Sequence, residues 1–166
     1  MFVLGVGAGT MAVSALVMSY VDPFQPTASL QAVVPPQMYR ARAGFTGRPV
    51  DRTLVQVNGT VDFTPCFTWN TKQIFMYIVV EYSTSKYGRS EITIYDHIIS
   101  NKESAVVDLK NAIEYPTDHI EQNALAGVPA VMRVKYHLMS YTGLSPQYEI
   151  ESAAVNFTFP ATYFAQ

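Results

Sequence analysis

Met132, Val134, Tyr136 and Leu138 alternate with Arg133, Lys135 and His137. Side chains on a strand point alternately to opposite faces, so this period of two describes a half-buried strand and excludes an amphipathic helix. The same period recurs along much of the chain. Val55, Val57, Val61 and Phe63 alternate with Gln56, Asn58, Thr60 and Asp62. This reads as one long strand with a bulge at Gly59, although Asn58-Gly59 would also suit a two-residue hairpin turn. "QIFMYIVVEYST" is apolar on both faces, as a strand covered on both sides would be. "EITIYDHII" follows the turn-like Lys86-Tyr87-Gly88, and the stretch from Tyr148 to Phe159 slips phase near Ala153-Ala154. Residues 103–115 alone read as a short helix or an irregular crossing. Five or more strands with short turns predict an all-β antiparallel β-sandwich over residues 51–166.

The N-terminus follows another rule. Met1 to Val21 are uncharged and mostly apolar, and Asp22 is the first charge. A helix of that length is about 31 Å long, enough to cross the hydrocarbon core of a bilayer. The Gly5-Val6-Gly7-Ala8-Gly9 run also invites a dinucleotide-binding reading, but Thr10 follows Gly9 and no strand leads to an acidic residue at the needed distance. A cleaved signal peptide wants a basic leading segment, and none precedes this run. Residues 1–21 are therefore expected to be an uncleaved transmembrane signal-anchor helix. Gly5 and Gly9 form a small-residue pair suited to helix packing in the membrane, or simply part of a lipid-facing surface. Residues 22–50, with five prolines, read as a juxtamembrane linker that wraps onto the domain or spaces it from the bilayer.

Orientation is encoded by conflicting signals. Arg40 and Arg42 sit at the edge of the window over which flanking charges act and favour a cytoplasmic domain. Asn58-Gly59-Thr60 and Asn156-Phe157-Thr158 are sequons, usable only in the secretory lumen. Strand alternation points both asparagines outward, and Asn58, which emerges earlier in synthesis, is the expected glycan acceptor.

Signals for chemistry are few. The net charge of −2 does not suggest nucleic acid. A single cysteine, Cys66, supports neither a disulfide framework nor a cysteine-based zinc site. His97, His119 and His137 lie outside any metal-ligand spacing, and Asp96 and His97, adjacent on a strand, point to opposite faces. Ser83, Ser85 and Ser140 lie in no nucleophile elbow. Glu81, inside an apolar strand, reads either as a functional carboxylate or, in preference, as a Glu satisfied by a partner or facing the sheet edge. No catalytic residue, cofactor or metal is expected.

At Trp69-Asn70, Lys72-Gln73, Phe75, Tyr77 and Glu81-Tyr82-Ser83-Thr84 the chain resembles the non-catalytic subunit 3 family of the eukaryotic signal peptidase complex. Tyr95-Asp96 with Ile98 and the terminal Phe159-Pro160-Ala161-Thr162-Tyr163 fit the same family. The resemblance implies a single-pass protein of the endoplasmic reticulum membrane with a lumenal β-sandwich. It would support a separate serine-protease subunit, alongside other small subunits, in removing signal peptides. Under this reading Trp69, Asn70, Lys72 and Gln73 either shape a strand entry, with Trp69 packed in the core, or form a docking edge for the catalytic subunit. An unrelated membrane-anchored binding module is the alternative.

Overall fold

The computed structural model describes Val13 and residues 25–33, 36–44 and 46–164. Within them run β1 (Thr27–Ala32), β2 (Gln37–Arg42), β3 (Pro49–Leu54), β4 (Val57–Asp62), β5 (Thr71–Tyr82), β6 (Ser90–Ile99), β7 (Val106–Ala112), β8 (Thr117–His119), β9 (Pro129–Ser140) and β10 (Gln147–Thr158). They form three sheets, ordered β1-β4-β7, β10-β9-β5-β6 and β2-β3-β8. Every pairing is antiparallel. The all-β, antiparallel expectation therefore holds.

β5 occupies the interior of the four-stranded sheet because its sequence suits burial on both sides. Ile74, Met76, Ile78 and Val80 point into the core together with Met132, Val134 and Tyr136 of β9. Leu30, Val57, Val61, Val107 and Leu109 of the β1-β4-β7 sheet belong to the same apolar cluster. Phe63 meets the Tyr136 ring edge-on at 5.2 Å and stitches the two sheets together. Each such side chain, fully buried, contributes about 1.5–3 kcal/mol before conformational entropy is counted. The expected phase slip in β10 is present as a register shift between Ile150 and Val155.

Two expectations are corrected. The single long strand through residues 53–63 is two strands, β3 and β4, in different sheets. Val55 and Val57 are both buried, so the alternation runs in phase across the break and does not signal it. The bulge at Gly59 is real, as a register shift between Val57 and Gly59. Gly59 takes φ +147°, and a Cβ there would run into the Ser29 carbonyl oxygen and approach the Leu30 Cα at 2.9 Å. In place of a helix over residues 103–115 stand a 3-10 turn at Lys102–Ser104 and then β7. Val106, Leu109 and Ile113 mimic helical spacing. Pairing with β4 instead selects alternation, with Val107 and Leu109 inward and Asp108 and Lys110 outward. Residues 22–50 hold β1, β2 and the first residues of β3; β1 pairs with β4, and β2 with β3. The expected anchor at residues 1–21 lies, except for Val13, outside the described residues, and among those described no helix is long and apolar enough to cross a membrane.

Candidate functional site

Several groups capable of chemistry make hydrogen bonds or ring contacts within the fold. Ser83 Oγ donates to the Gly88 carbonyl at 2.6 Å, and Ser145 Oγ donates to that of Leu138 at 3.0 Å. His97 stacks on Tyr95, and His137 stacks on Phe75 and Tyr77. Cys66 is buried, and burial, helped by the Asp62 charge, pushes its thiol up to about 12. It is a protonated core residue at neutral pH. Among the described residues, no group of three His, Cys, Asp or Glu side chains could hold a metal ion.

The outer face of the four-stranded sheet carries a charge network centred on Glu81. Register places Tyr77 opposite Lys135, Val79 opposite Arg133 and Glu81 opposite Glu91. Glu81 accepts hydrogen bonds from Arg89 at 2.9 Å and from both Arg133 and Lys135 at 3.1 Å. Lys135 also donates to Glu91 at 2.7 Å, and Arg133 to Glu149. Partial burial acts to raise the Glu81 carboxyl, but hydrogen bonds from Lys135 and Arg89 outweigh it and hold it at about 2. Glu81, Arg89, Arg133, Glu149 and Glu151 line a polar depression of about 500 Å³. Next to this network Phe75, Tyr77 and His137 make an aromatic strip, and Gln147 donates to Tyr77 Oη at 2.6 Å.

The Trp69-to-Gln73 motif sits where the chain leaves the 3-10 turn at Thr64–Cys66 and enters β5. Asn70 is buried and clamps the β9–β10 connection. Its Nδ2 donates to the Thr142 carbonyl at 3.0 Å, and its Oδ1 accepts from Thr142 N at 3.1 Å. Gln73 Nε2 lies 3.0 Å from Met139 Sδ on the neighbouring strand. Lys72 is exposed. Trp69 does not pack in the core: it is 68% exposed. The turn closes without it, through Thr71 Oγ1 on the Cys66 carbonyl at 2.8 Å and Tyr141 N on the Asn70 carbonyl at 2.9 Å. The side chain is thereby left outside.

Two motifs far apart in sequence meet in a buried patch. Phe159 packs edge-on against Tyr82 at 5.6 Å, and Tyr82 Oη shares a hydrogen bond with His119 Nδ1 at 3.0 Å. Tyr163 Oη donates to Asp51 Oδ2 at 2.6 Å. Asp51 lies opposite His119, and Thr53 opposite Thr117, across the β3–β8 pairing. On the other face of the same strands Arg52 forks onto Asp118. Burial lowers the His119 pKa, with Glu121 and Asp51 opposing. None of this was foreseen, because the Asp51 and Thr53 positions lack the apolar signal that marks an inward face.

The sequon asparagines differ. Asn58 is half-buried on β4, and its Oδ1 accepts from Asn111 N at 2.5 Å. Asn156 is exposed on β10. Gly5 and Gly9 lie outside the described residues.

The described residues define an antiparallel all-β domain with an internally paired charge network around Glu81 beside a polar depression. The sequence comparison then makes the assignment specific. A family model described as "Signal peptidase subunit" matches residues 1–162, and the chain belongs to that family. It is similar to Signal peptidase complex subunit 3 of Saccharomyces cerevisiae, 31% identical over 59% of this chain and 54% of that protein. The Dictyostelium discoideum protein of the same name is 26% identical over 73% of this chain and 69% of its own length. That of Debaryomyces hansenii is 36% identical over 58% and 51%. The chain thus spans about half the length of the two yeast relatives it matches.

Proposed function

We propose that the chain is a non-catalytic accessory subunit of a signal peptidase complex, supporting the removal of signal peptides in the endoplasmic reticulum. The observation that carries this is the family match over residues 1–162. The side-chain bonding supports a scaffolding rather than a chemical role: the hydroxyls of Ser83 and Ser145 donate to backbone carbonyls, and Glu81 is an internal counter-ion.

In this reading residues 1–21 anchor the chain in the membrane as a single transmembrane helix, and the β-rich body is a lumenal sandwich. The partners are a separate serine-protease subunit and the other small subunits of the complex. Asn70 and Gln73 fix the β5 entry, while Trp69 and Lys72 remain on the surface. Affinity purification of the tagged chain in mild detergent tests the assignment. Co-purification of a peptidase subunit with preprotein-cleaving activity is expected. A chain recovered alone, with cleavage intact in the depleted membranes, overturns it.

A further inference from the structure

Three exposed apolar side chains collect at one end of the domain, the end from which the folded chain starts. Trp69, Tyr141 and Leu144 are 68%, 67% and 75% exposed. Trp69 precedes β5, whose first residue, Thr71, lies opposite Ser140, the last residue of β9. Tyr141 and Leu144 belong to the β9–β10 connection, tied to Asn70 by the Thr142 bonds. β1 begins at this same end, since Thr27 pairs with Asp62, and Asp62 leads directly through the 3-10 turn at Thr64–Cys66 to Trp69.

The tether is short. Thr27 lies six residues after Val21, where the uncharged apolar run ends. Six residues reach at most about 21 Å even when fully extended. The headgroup layer on each side of a bilayer is itself about 5–8 Å thick. An anchored domain therefore presents this end, and not the opposite one, to the lipid.

The residue types suit that position. Tryptophan and tyrosine join an apolar ring to a polar edge and concentrate at membrane–water interfaces. Lys72 and Lys102 are exposed at the same end, on stems long enough for their ammonium groups to reach lipid phosphates. Leu144 adds a purely apolar tip. We propose that this end lies in the interfacial layer of the bilayer, with Trp69, Tyr141 and Leu144 immersed among the headgroups and upper acyl carbons. The inference rests on residues 1–21 being a membrane anchor. It assigns Trp69 a lipid contact in place of a protein one.

Trp69 is the only tryptophan in the chain, so intrinsic fluorescence reads this position alone. The full chain is reconstituted into phosphatidylcholine vesicles carrying a quenching label either near the headgroup or at the acyl-chain end. The vesicles are first floated on a density gradient. Co-flotation, with emission lost more to the headgroup-proximal label than to the chain-end label, is the expected result. Leu144→Asp should reduce that quenching while flotation is unchanged. Co-flotation with Trp69 untouched by either lipid label overturns the inference and leaves the anchor standing. Shielding of Trp69 from aqueous iodide without lipid quenching means that protein covers it, which also overturns the lipid assignment. Failure to float refutes the anchor, and the inference with it.

Discussion

The Tyr163 hydroxyl donates a 2.6 Å hydrogen bond to Oδ2 of Asp51, a carboxylate with no exposed surface. The bond fastens the C-terminal segment across β3, and Phe164 N adds a 2.8 Å bond to the Met38 carbonyl of β2. Asp51 Oδ1 has no hydrogen-bond partner among the described residues. The carboxylate therefore depends on Tyr163. Burial first, and then the bond to Asp51, push the Tyr163 phenol above its ordinary range, so it stays a donor at neutral pH.

Tyr163→Phe removes that donor while keeping the ring. A buried acceptor left unsatisfied costs about 1–3 kcal/mol. Urea unfolding of the full chain in mild detergent should show a lower midpoint with an unchanged slope. In an Asp51→Asn background the same change should cost less, because the buried group is then neutral. Equal costs in both backgrounds would remove the carboxylate from the explanation.

His119 makes stability depend on pH near neutrality. Its folded pKa lies below the ordinary 6.5, chiefly through burial, so the unfolded chain binds more protons than the folded one around that pH. Stability is fully present above about 6.5 and falls as pH drops below it. The unfolding midpoint should decline from pH 7.5 to 5.5, and His119→Gln should flatten the decline. A pH slope in the variant as steep as in the parent would refute the assignment.

Glu81 governs a separate, more acidic window. Its folded value of about 2 lies below the ordinary 4.5, so the stabilisation it supplies is present above 4.5 and is lost as pH falls toward 2. Glu81→Gln should reduce acid sensitivity in that range. At neutral pH it should cost about 1–3 kcal/mol, because Lys135, itself buried, keeps only Glu91 as an anionic partner. Lys135→Met added to Glu81→Gln should recover part of the loss, since the buried charge then disappears with its partner. A strictly additive double variant would show that the two residues are not coupled.

At Gly59 the Ser29 carbonyl and the Leu30 Cα leave no room for a Cβ, and φ is +147°. Gly59→Ala should therefore cost at least about 1–3 kcal/mol in backbone strain, with displacement of β1 added to it. Amide exchange should speed up across residues 27–32 before it does in β9. Unchanged protection of β1 would mean that the bulge relaxes without moving its neighbour.

The long strands were readable because their alternation is driven by burial. β9 and β10 set inward Val134 and Ile150 between charged outer neighbours, and β5 is legible as a run apolar on both faces. β1, β2 and β8 were not readable for the opposite reason. They are short, and the buried positions around β8 are Thr117, His119 and, across the pairing, Asp51 and Thr53, which pattern analysis reads as surface. The site was partly legible. Asn70 bonds to Thr142 of the β9–β10 connection, and Glu81 accepts from Arg89, Arg133 and Lys135. Trp69 was misplaced because an aromatic at a strand entry usually faces the core. Here the Cys66–Thr71 closure is complete without it.

The side of the membrane that holds the domain can be settled through the sequons. Arg40 and Arg42 pull weakly toward the cytoplasm. Arg40 is engaged within the folded domain: it donates to Asn123 at 3.1 Å and lies over the Tyr163 ring. Glycan acceptors work only in the lumen. Of the two, Asn156 is exposed on β10, whereas Asn58 is half-buried with its carbonyl oxygen already bonded to Asn111 N. Earlier emergence during synthesis favours Asn58, but a glycan there must be accommodated as β7 pairs beside β4. One at Asn156 meets no such demand. In sealed microsomes, protease should spare the whole folded domain from β1 onward, and a glycosidase should shift the band. Asn156→Gln should abolish the shift, and Asn58→Gln should preserve it. The reverse pattern would show that transfer precedes pairing of β4 with β7. Digestion of the domain without detergent would place it in the cytoplasm and make an accessory role beside a lumenal peptidase untenable.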